Sequence, residues 1–273
     1  MIAGLRIAAV QMNSENDVAE NLRDVAVRVR EAASLGAKVV VLPENFAFMG
    51  GSEEDRRAVA ETLPGDGPIA TTLKGLAEDL SLFVIGGGMP ERSDDPLRPY
   101  NSCVVYAPWG DLVAVYRKIH LFDVDVADGQ VYHESGSVTA GDTPRVVEAY
   151  DAKIGLSVCY DLRFPELYRK LVDLGAQVLV VPSAFTLMTG KDHWHVLLRA
   201  RAIENQCYVV AAAQTGIHPK GRMTYGKSLI VDPWGDVNAQ ASDGEGVVLA
   251  DLDLGRVADI RNRLPSLRHR RLV

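Results

Sequence analysis

The chain has 273 residues, a mass of 29.7 kDa and a formal net charge of −7, with 47% hydrophobic and 24% charged residues. Folding at this length buries roughly three quarters of the unfolded chain's surface, which excludes a disordered chain, a disulfide-stapled miniprotein and a fibrous repeat. The acidic balance argues against nucleic acid and anionic membrane as partners.

Short apolar runs alternate with amphipathic stretches. Leu5–Gln11 reads as the first strand. It lies in MIAGLRIAAVQMNSEN, which has no charged region ahead of a long apolar stretch, so no signal peptide is expected. Asp17–Leu35 predicts a helix, because Val18, Leu22, Val25, Val29 and Ala32 recur at helical spacing and Gly36 follows as a stop. Strands follow at Ala37–Leu42, Leu82–Gly87, Ser102–Tyr106 and Leu112–Tyr116, then at Ile154–Cys159. Pro165–Leu174 predicts a second helix, with proline in its first turn and Gly175 behind it. After it come strand Val178–Val181, helix Lys191–Gln206 and strands Tyr208–Ala213 and Ser228–Val231. The basic tail Arg268-His269-Arg270-Arg271 reads as an arm that docks on a carboxylate. No run approaches the ~18 apolar residues of a membrane span. No linker divides the chain, so residues 1–273 read as one domain. Three cysteines, Cys103, Cys159 and Cys207, make no disulfide framework and suit a reducing, cytoplasmic setting.

The chain echoes itself. LGAKVVVLPENF (Leu35–Phe46) and LGAQVLVVPSAF (Leu174–Phe185) share one pattern of helix end, buried strand and proline at the strand's exit. LFVIGGG (Leu82–Gly88) aligns with CYVVAAA (Cys207–Ala213), and at the same offset YNSCVVYAPWGD (Tyr100–Asp111) aligns with YGKSLIVDPWGD (Tyr225–Asp236). IAAVQM (Ile7–Met12) sits opposite IGLSVCY (Ile154–Tyr160). A sustained offset with a shared PWGD turn points to duplication. Purely apolar strands need both faces covered. The expected fold is therefore α/β: a four-layer α-β-β-α sandwich of two sheets with internal pseudo-twofold symmetry.

Two polar residues leave apolar strands at their C-terminal ends, where open α/β architectures place ligands. Glu44 follows Ala37–Leu42, and Cys159 ends Ile154–Cys159 just before a helix. A helix N-terminus there would favour thiolate. Cys103 and Cys207 lie within or at the start of strands without acid–base company and read as inert thiols. Lys118, in VYRKIHLF, is either a solvated lysine or a cation that holds an oxyanion and lowers a thiol pKa. His193 and His195 flank Trp194 but lack a third metal ligand of suitable spacing, so structural roles are favoured and no metal is expected. Gly86-Gly87-Gly88 lacks the continuation of a phosphate loop and reads as strand-end packing.

LPENF with Glu44, YRKIHLFD with Lys118 and GLSVCYDLRFPELYR with Cys159 resemble, in order, the Glu-Lys-Cys triad of the nitrilase (carbon-nitrogen hydrolase) superfamily. The resemblance runs from AAVQM to the final RHRR. HWHVLLRARAIENQCYVVAAAQ and YGKSLIVDPWG look like the branch that holds deaminated glutathione amidase, whose sister branch is ω-amidase.

The resemblance implies a cofactor-free amidase acting on a small-molecule amide. Glu44 would be the general base toward Cys159, and Lys118 with the N–H that follows Cys159 would hold the oxyanion. Ammonia would leave, and a thioester on Cys159 would then be hydrolysed. Glu134, in HESGSVTAG, would fix Lys118. His120 is the rival base. Asp161 is expected to pair with a cation. Tyr160, Arg163, Phe185 and Lys191 are candidates for substrate binding, with Arg163 and Lys191 at the rim for a substrate carboxylate. The resemblance also implies a homodimer, and Leu167, Leu171 and Leu174 would supply its contact face. The alternatives are an ω-amidase acting on α-ketoglutaramate, a nitrilase, a papain-like Cys-His hydrolase, and a catalytically silent binding protein on the same fold.

Overall fold

The computed structural model describes residues 4–126 and 130–272, so the first three residues of the segment read for a signal peptide lie outside it. In chain order the elements are β1 (Leu5–Met12), α1 (Val18–Ser34), β2 (Val39–Val41), α2 (Glu53–Ala58), α3 (Pro68–Leu80), β3 (Phe83–Glu91), β4 (Tyr100–Tyr106), β5 (Leu112–Arg117), β6 (Asp123–Val126), β7 (Gln130–His133), β8 (Arg145–Ala149), β9 (Ala152–Leu156), α4 (Pro165–Asp173), β10 (Val178–Val180), α5 (Leu187–Asn205), β11 (Tyr208–Ala211), β12 (Ala213–Ile217), β13 (Met223–Tyr225), β14 (Leu229–Val231), β15 (Val237–Gln240), β16 (Gly246–Leu252) and α6 (Leu254–Arg263).

Two mixed sheets carry the fold. One runs β13-β12-β1-β2-β3-β4-β5 with β16 also on β1; the other runs β15-β14-β11-β10-β9-β8. The duplication is visible strand by strand. β1, β2 and β3 are parallel neighbours, as are β9, β10 and β11. Each trio continues into two antiparallel strands, β4-β5 and β14-β15, and carries an antiparallel strand on its first member, β16 and β8. The PWGD turns match too: Ala107 N–H donates to Asp111 O and Asp232 N–H to Asp236 O, at 2.9 and 2.8 Å.

Alternation along the strands makes the layers, because successive side chains face opposite sides of a sheet. Ala8, Val10, Val40, Val84 and Val104 pack outward against Leu22, Val25 and Val29 of α1 and Leu73 and Leu76 of α3. Ile7, Ala9, Val39, Val41, Ile85 and Val105 point the other way, into the core shared with the second sheet. Beyond that sheet lie α4 and α5, through Leu167, Leu171, Trp194 and Leu198. The four-layer α-β-β-α sandwich is the fold.

Several expectations need correction. The run Tyr208–Ala213 is two strands: β11 stays in the second sheet, while β12 crosses to the first and pairs with β1 at Gln11 and Met12. A continuous apolar run carries no mark of such a crossover. Helix α5 starts at Leu187 rather than Lys191, because the Thr186 hydroxyl caps it by accepting from Thr189 N. Leu167 and Leu171 do not form an outward contact face. They are buried in the core, and only Leu174 is exposed. The basic tail docks as expected, since Arg270 pairs with Asp173 at the end of α4. Among the described residues no helix is long and apolar enough to cross a membrane.

Candidate active site

The strand exits of the two repeats converge on one cavity of about 370 Å³. Glu44, Lys118, Glu134, Cys159, Tyr160, Arg163 and Phe185 all line it. Lys191 does not: it is exposed near the start of α5, two residues beyond the lining residue Thr189.

Glu44 follows β2 after Leu42 and Pro43 and is buried. Its Oε1 accepts from Lys118 Nζ at 3.0 Å and from Asn101 Nδ2 at 2.9 Å, and its Oε2 accepts from Ala184 N at 3.1 Å. The Cys159 thiol lines the same cavity, near enough for its charge state and that of Glu44 to influence each other. The Gly86-Gly87-Gly88 run serves this placement. A Cβ on Gly87 would lie 2.1 Å from Pro182 Cβ, so the strand exits close together only because none is there. Gly88 has φ +88°, and a side chain there would press on Glu44 and Asn101. Packing, rather than phosphate binding, explains these glycines.

Lys118 follows β5, buried with its ammonium between two carboxylates. Nζ donates to Glu44 Oε1 at 3.0 Å, and to Glu134 Oε1 and Oε2 at 3.1 and 2.8 Å. Glu134 opens a 3-10 turn, Glu134–Gly136, and its Oε2 also accepts from Phe122 N at 2.7 Å.

Cys159 sits beyond the end of β9 rather than at an α-helix N-terminus. It opens a 3-10 turn, Cys159–Arg163, and α4 begins only at Pro165. Its φ is +49°, a left-handed conformation that costs a non-glycine residue of order 1–3 kcal/mol and is held by its surroundings. Cys159 N donates to Pro182 O at 2.9 Å. Asp161, fully buried, braces the turn. It accepts from Val158 N at 2.8 Å, from Tyr116 Oη at 2.7 Å and from His120 N at 3.1 Å, and it contacts His120 Nδ1 at 2.7 Å. His120 is thus tied to Asp161 and stacked on Phe164, with ring centroids 3.7 Å apart, and it does not line the cavity.

The electrostatics correct one expectation. Burial pushes the Cys159 thiol well above its ordinary value and the Glu44 charge adds to this, against the pull of Lys118. The resting sulfur is a thiol and not the thiolate that a helix terminus would have favoured. Burial would raise Glu44, but the Lys118 charge, the neighbouring Cys159 thiol and the hydrogen bond from Lys118 outweigh it, so its carboxyl is held below the usual range. Burial opposes the Lys118 charge, yet Glu134 and Glu44 together raise its pKa. The resting pair is therefore an ionised carboxylate facing a protonated thiol, which is the arrangement for general-base activation during attack.

Arg163 lies over the rings of Phe185 and Tyr160, 5.4 and 5.9 Å from the centroids, with Nη1 3.3 Å from His193 Nδ1. His195 Nε2 lies 3.0 Å from Gln240 Oε1. Among the described residues no cluster of three or more His, Cys, Asp or Glu side chains could hold a metal. Three site residues had gone unread in the sequence. Asn101 links Glu44 and Glu134; Arg56 and Arg222 line the cavity from segments with no motif of their own.

A sandwich of two duplicated sheets with an acid, a lysine and a cysteine at converging strand exits defines a class of hydrolase scaffold. The sequence profile of the carbon-nitrogen hydrolase family matches residues 6–262. The chain belongs to the carbon-nitrogen hydrolase family. It is 44% identical to a deaminated glutathione amidase of Synechocystis, over 97% of this chain and 98% of that one. It is 38% identical to an omega-amidase of Homo sapiens, over 99% of this chain and 96% of the relative. Its structure superposes on the NitFhit protein of C. elegans with a TM-score of 0.92 at 40% identity, covering 99% of this chain and 66% of that one.

Proposed function

We propose that the chain is a cofactor-free cysteine amidase acting on a small, carboxylate-bearing amide, with deaminated glutathione as its substrate. The observation that carries this reading is the Glu44 carboxylate, which accepts from the Lys118 ammonium and shares the wall of one cavity with the Cys159 thiol. As the sulfur attacks the amide carbonyl, Glu44 takes the thiol proton. The carbonyl oxygen becomes an oxyanion held by Lys118 Nζ and the N–H of Tyr160. Collapse breaks the C–N bond while Glu44 returns the proton to the departing nitrogen, leaving a thioester on Cys159. Glu44 then deprotonates water, which attacks the thioester; the acid leaves and the thiol is restored. Glu134 and Asn101 keep Lys118 and Glu44 in register.

The leaving group depends on the substrate. A primary amide releases ammonia, as the sequence reading had it. Deaminated glutathione instead releases the amine of its cysteinylglycine part. Arg163, over Phe185 and Tyr160 at the cavity wall, suits a carboxylate of that substrate. A second reading, α-ketoglutaramate as substrate, rests on the 38% identity to the omega-amidase. The test compares kcat/KM for deaminated glutathione, α-ketoglutaramate and propionamide in wild type and Arg163→Met. The proposal expects that order of preference and a loss on deaminated glutathione in the variant. Propionamide matching the others in wild type would overturn it.

The same reading sets the enzyme in the cytoplasm, which three unpaired cysteines suit, as a homodimer. Val196 and Ile203, seven residues apart on one face of α5, are exposed, with exposed Trp234 on the turn that Ile203 touches at Gly235. A monomeric mass in sedimentation at micromolar concentration would contradict the dimer.

A further inference from the structure

Two arginines of the cavity are short of partners. Arg56, in α2, makes one long hydrogen bond, Nη1 to Asn45 Oδ1 at 3.4 Å. Its Nε and Nη2 are sealed from solvent and have no partner among the described residues. Arg222 donates Nη2 to Ala184 O at 3.0 Å, lies 5.5 Å from the centroid of the Tyr132 ring, and leaves Nε buried without a partner among the described residues. A guanidinium carries five donors in a fork that matches a carboxylate. Buried donors left unmade are costly, so such a group gains strongly from an anion that enters.

The acids nearby do not relieve this shortage. Glu44 and Glu134 are committed to Lys118, Asn101 and backbone N–H groups. Glu53, the remaining carboxylate of the lining among the described residues, is exposed. Burial pushes the Arg56 guanidinium down against the pull of Glu134 and Glu44, and Arg222 adds to the shift, so the two cations sense each other. Their segments are latched together. Lys220 Nζ donates to Gly51 O, and Gly50 packs so closely on Pro219 that a Cβ there would lie 2.7 Å from the ring. The segments that carry the two arginines are thus held together before any ligand arrives.

We propose that Arg56 and Arg222 form a carboxylate-binding station for the acyl part of the substrate. This rests on the amidase reading above and names its substrate class: amides whose acyl group bears a carboxylate. Turning toward that carboxylate costs Arg56 only its 3.4 Å contact. The acyl part stays on Cys159 after the amine has left, so a station on the cavity wall can hold it through both halves of the reaction. Arg163, which contacts His193 near the start of α5, is left to the part that departs.

The probe is 2-oxoglutarate, the acid that either anionic amide would release. Its affinity for the full chain is measured by calorimetry in wild type, Arg56→Gln, Arg56→Lys and Arg222→Gln. One charge-assisted contact corresponds to about 10- to 100-fold. Each glutamine variant should weaken binding by about that factor, with Arg56→Lys recovering part of it. The kcat/KM ratio of α-ketoglutaramate to propionamide should fall by a similar factor, mainly through KM. Arg56→Gln should melt no lower than wild type, because two of the donors it removes have no partner. Unchanged 2-oxoglutarate affinity and an unchanged ratio would overturn the station. If no amide is hydrolysed but 2-oxoglutarate binding still depends on both arginines, the station stands and the amidase reading falls.

Discussion

The amide of Ala184 donates to Glu44 Oε2 at 3.1 Å, joining the exits of two strands that the internal duplication makes equivalent. LPENF leaves β2 and VPSAF leaves β10, and each places a proline just ahead of the contact. One repeat supplies the carboxylate and the other supplies the N–H that orients it. The duplication thus does more than build a core: it brings chemically different residues from equivalent strand exits within bonding distance.

Glu44→Gln keeps the shape of the side chain and removes the base. The variant should fold normally and lose several orders of magnitude in kcat/KM, since a positioned base contributes typically ~10²–10⁴-fold and here would serve both halves of the reaction. Steady-state kinetics on the preferred amide provides the check. Rates near wild type would move the base elsewhere, first to His120.

Cys159 should be the thiol that an alkylating agent modifies first. It lines the cavity, whereas Cys103 and Cys207 are fully buried in the core. Peptide mapping after limited iodoacetamide treatment should find the label on Cys159, with substrate protecting it. Cys103→Ala and Cys207→Ala should keep turnover, and Cys159→Ala should abolish it.

Lys118→Met should damage stability as well as activity. It leaves Glu44 and Glu134 facing each other without their shared cation. Removing one partner of a buried ion pair costs roughly 3–5 kcal/mol. Urea unfolding should show a loss of that order, and Lys118→Met with Glu134→Gln should recover part of it. A single variant as stable as wild type would contradict the buried triad's charge assignment.

The pH dependence follows from the signs of the shifts. Glu44 is held below its ordinary value of 4.5, so on acidification it stays ionised until the pH falls below that value. kcat/KM should therefore be flat from about pH 8 to pH 5, with its acid limb below 4.5. The Cys159 thiol is raised, so its alkylation rate should climb through pH 9 without levelling off. An activity profile half-maximal between pH 6 and 7 would point to a histidine base.

Much of this was legible in the sequence because it rests on patterns that local physics enforces. The apolar runs that became β1, β2, β9 and β10 are buried along nearly their whole length, and the repeat marked them as two equivalent sets. Glu44, Lys118 and Cys159 stood at strand exits within motifs. What stayed hidden depends on contacts distant in the chain. Helix α3 had its signal in Ile69, Leu73 and Leu76 behind Pro68, but it lay outside any motif. The outward role expected for Leu167 and Leu171 failed because periodicity marks an apolar face without saying what covers it. Arg56 and Lys191 look alike as isolated surface cations. Only the fold turns one into the cavity and leaves the other outside it.

The most direct test of the account is the acyl-enzyme itself. Wild-type protein is mixed with the preferred amide, quenched in acid within the first turnovers and examined by intact-mass and peptide mass spectrometry. The account predicts a mass increase equal to the acyl part of the amide less one hydrogen, located on Cys159 and absent from Cys159→Ala. Turnover with no adduct on Cys159, or with an adduct on another residue, would contradict it.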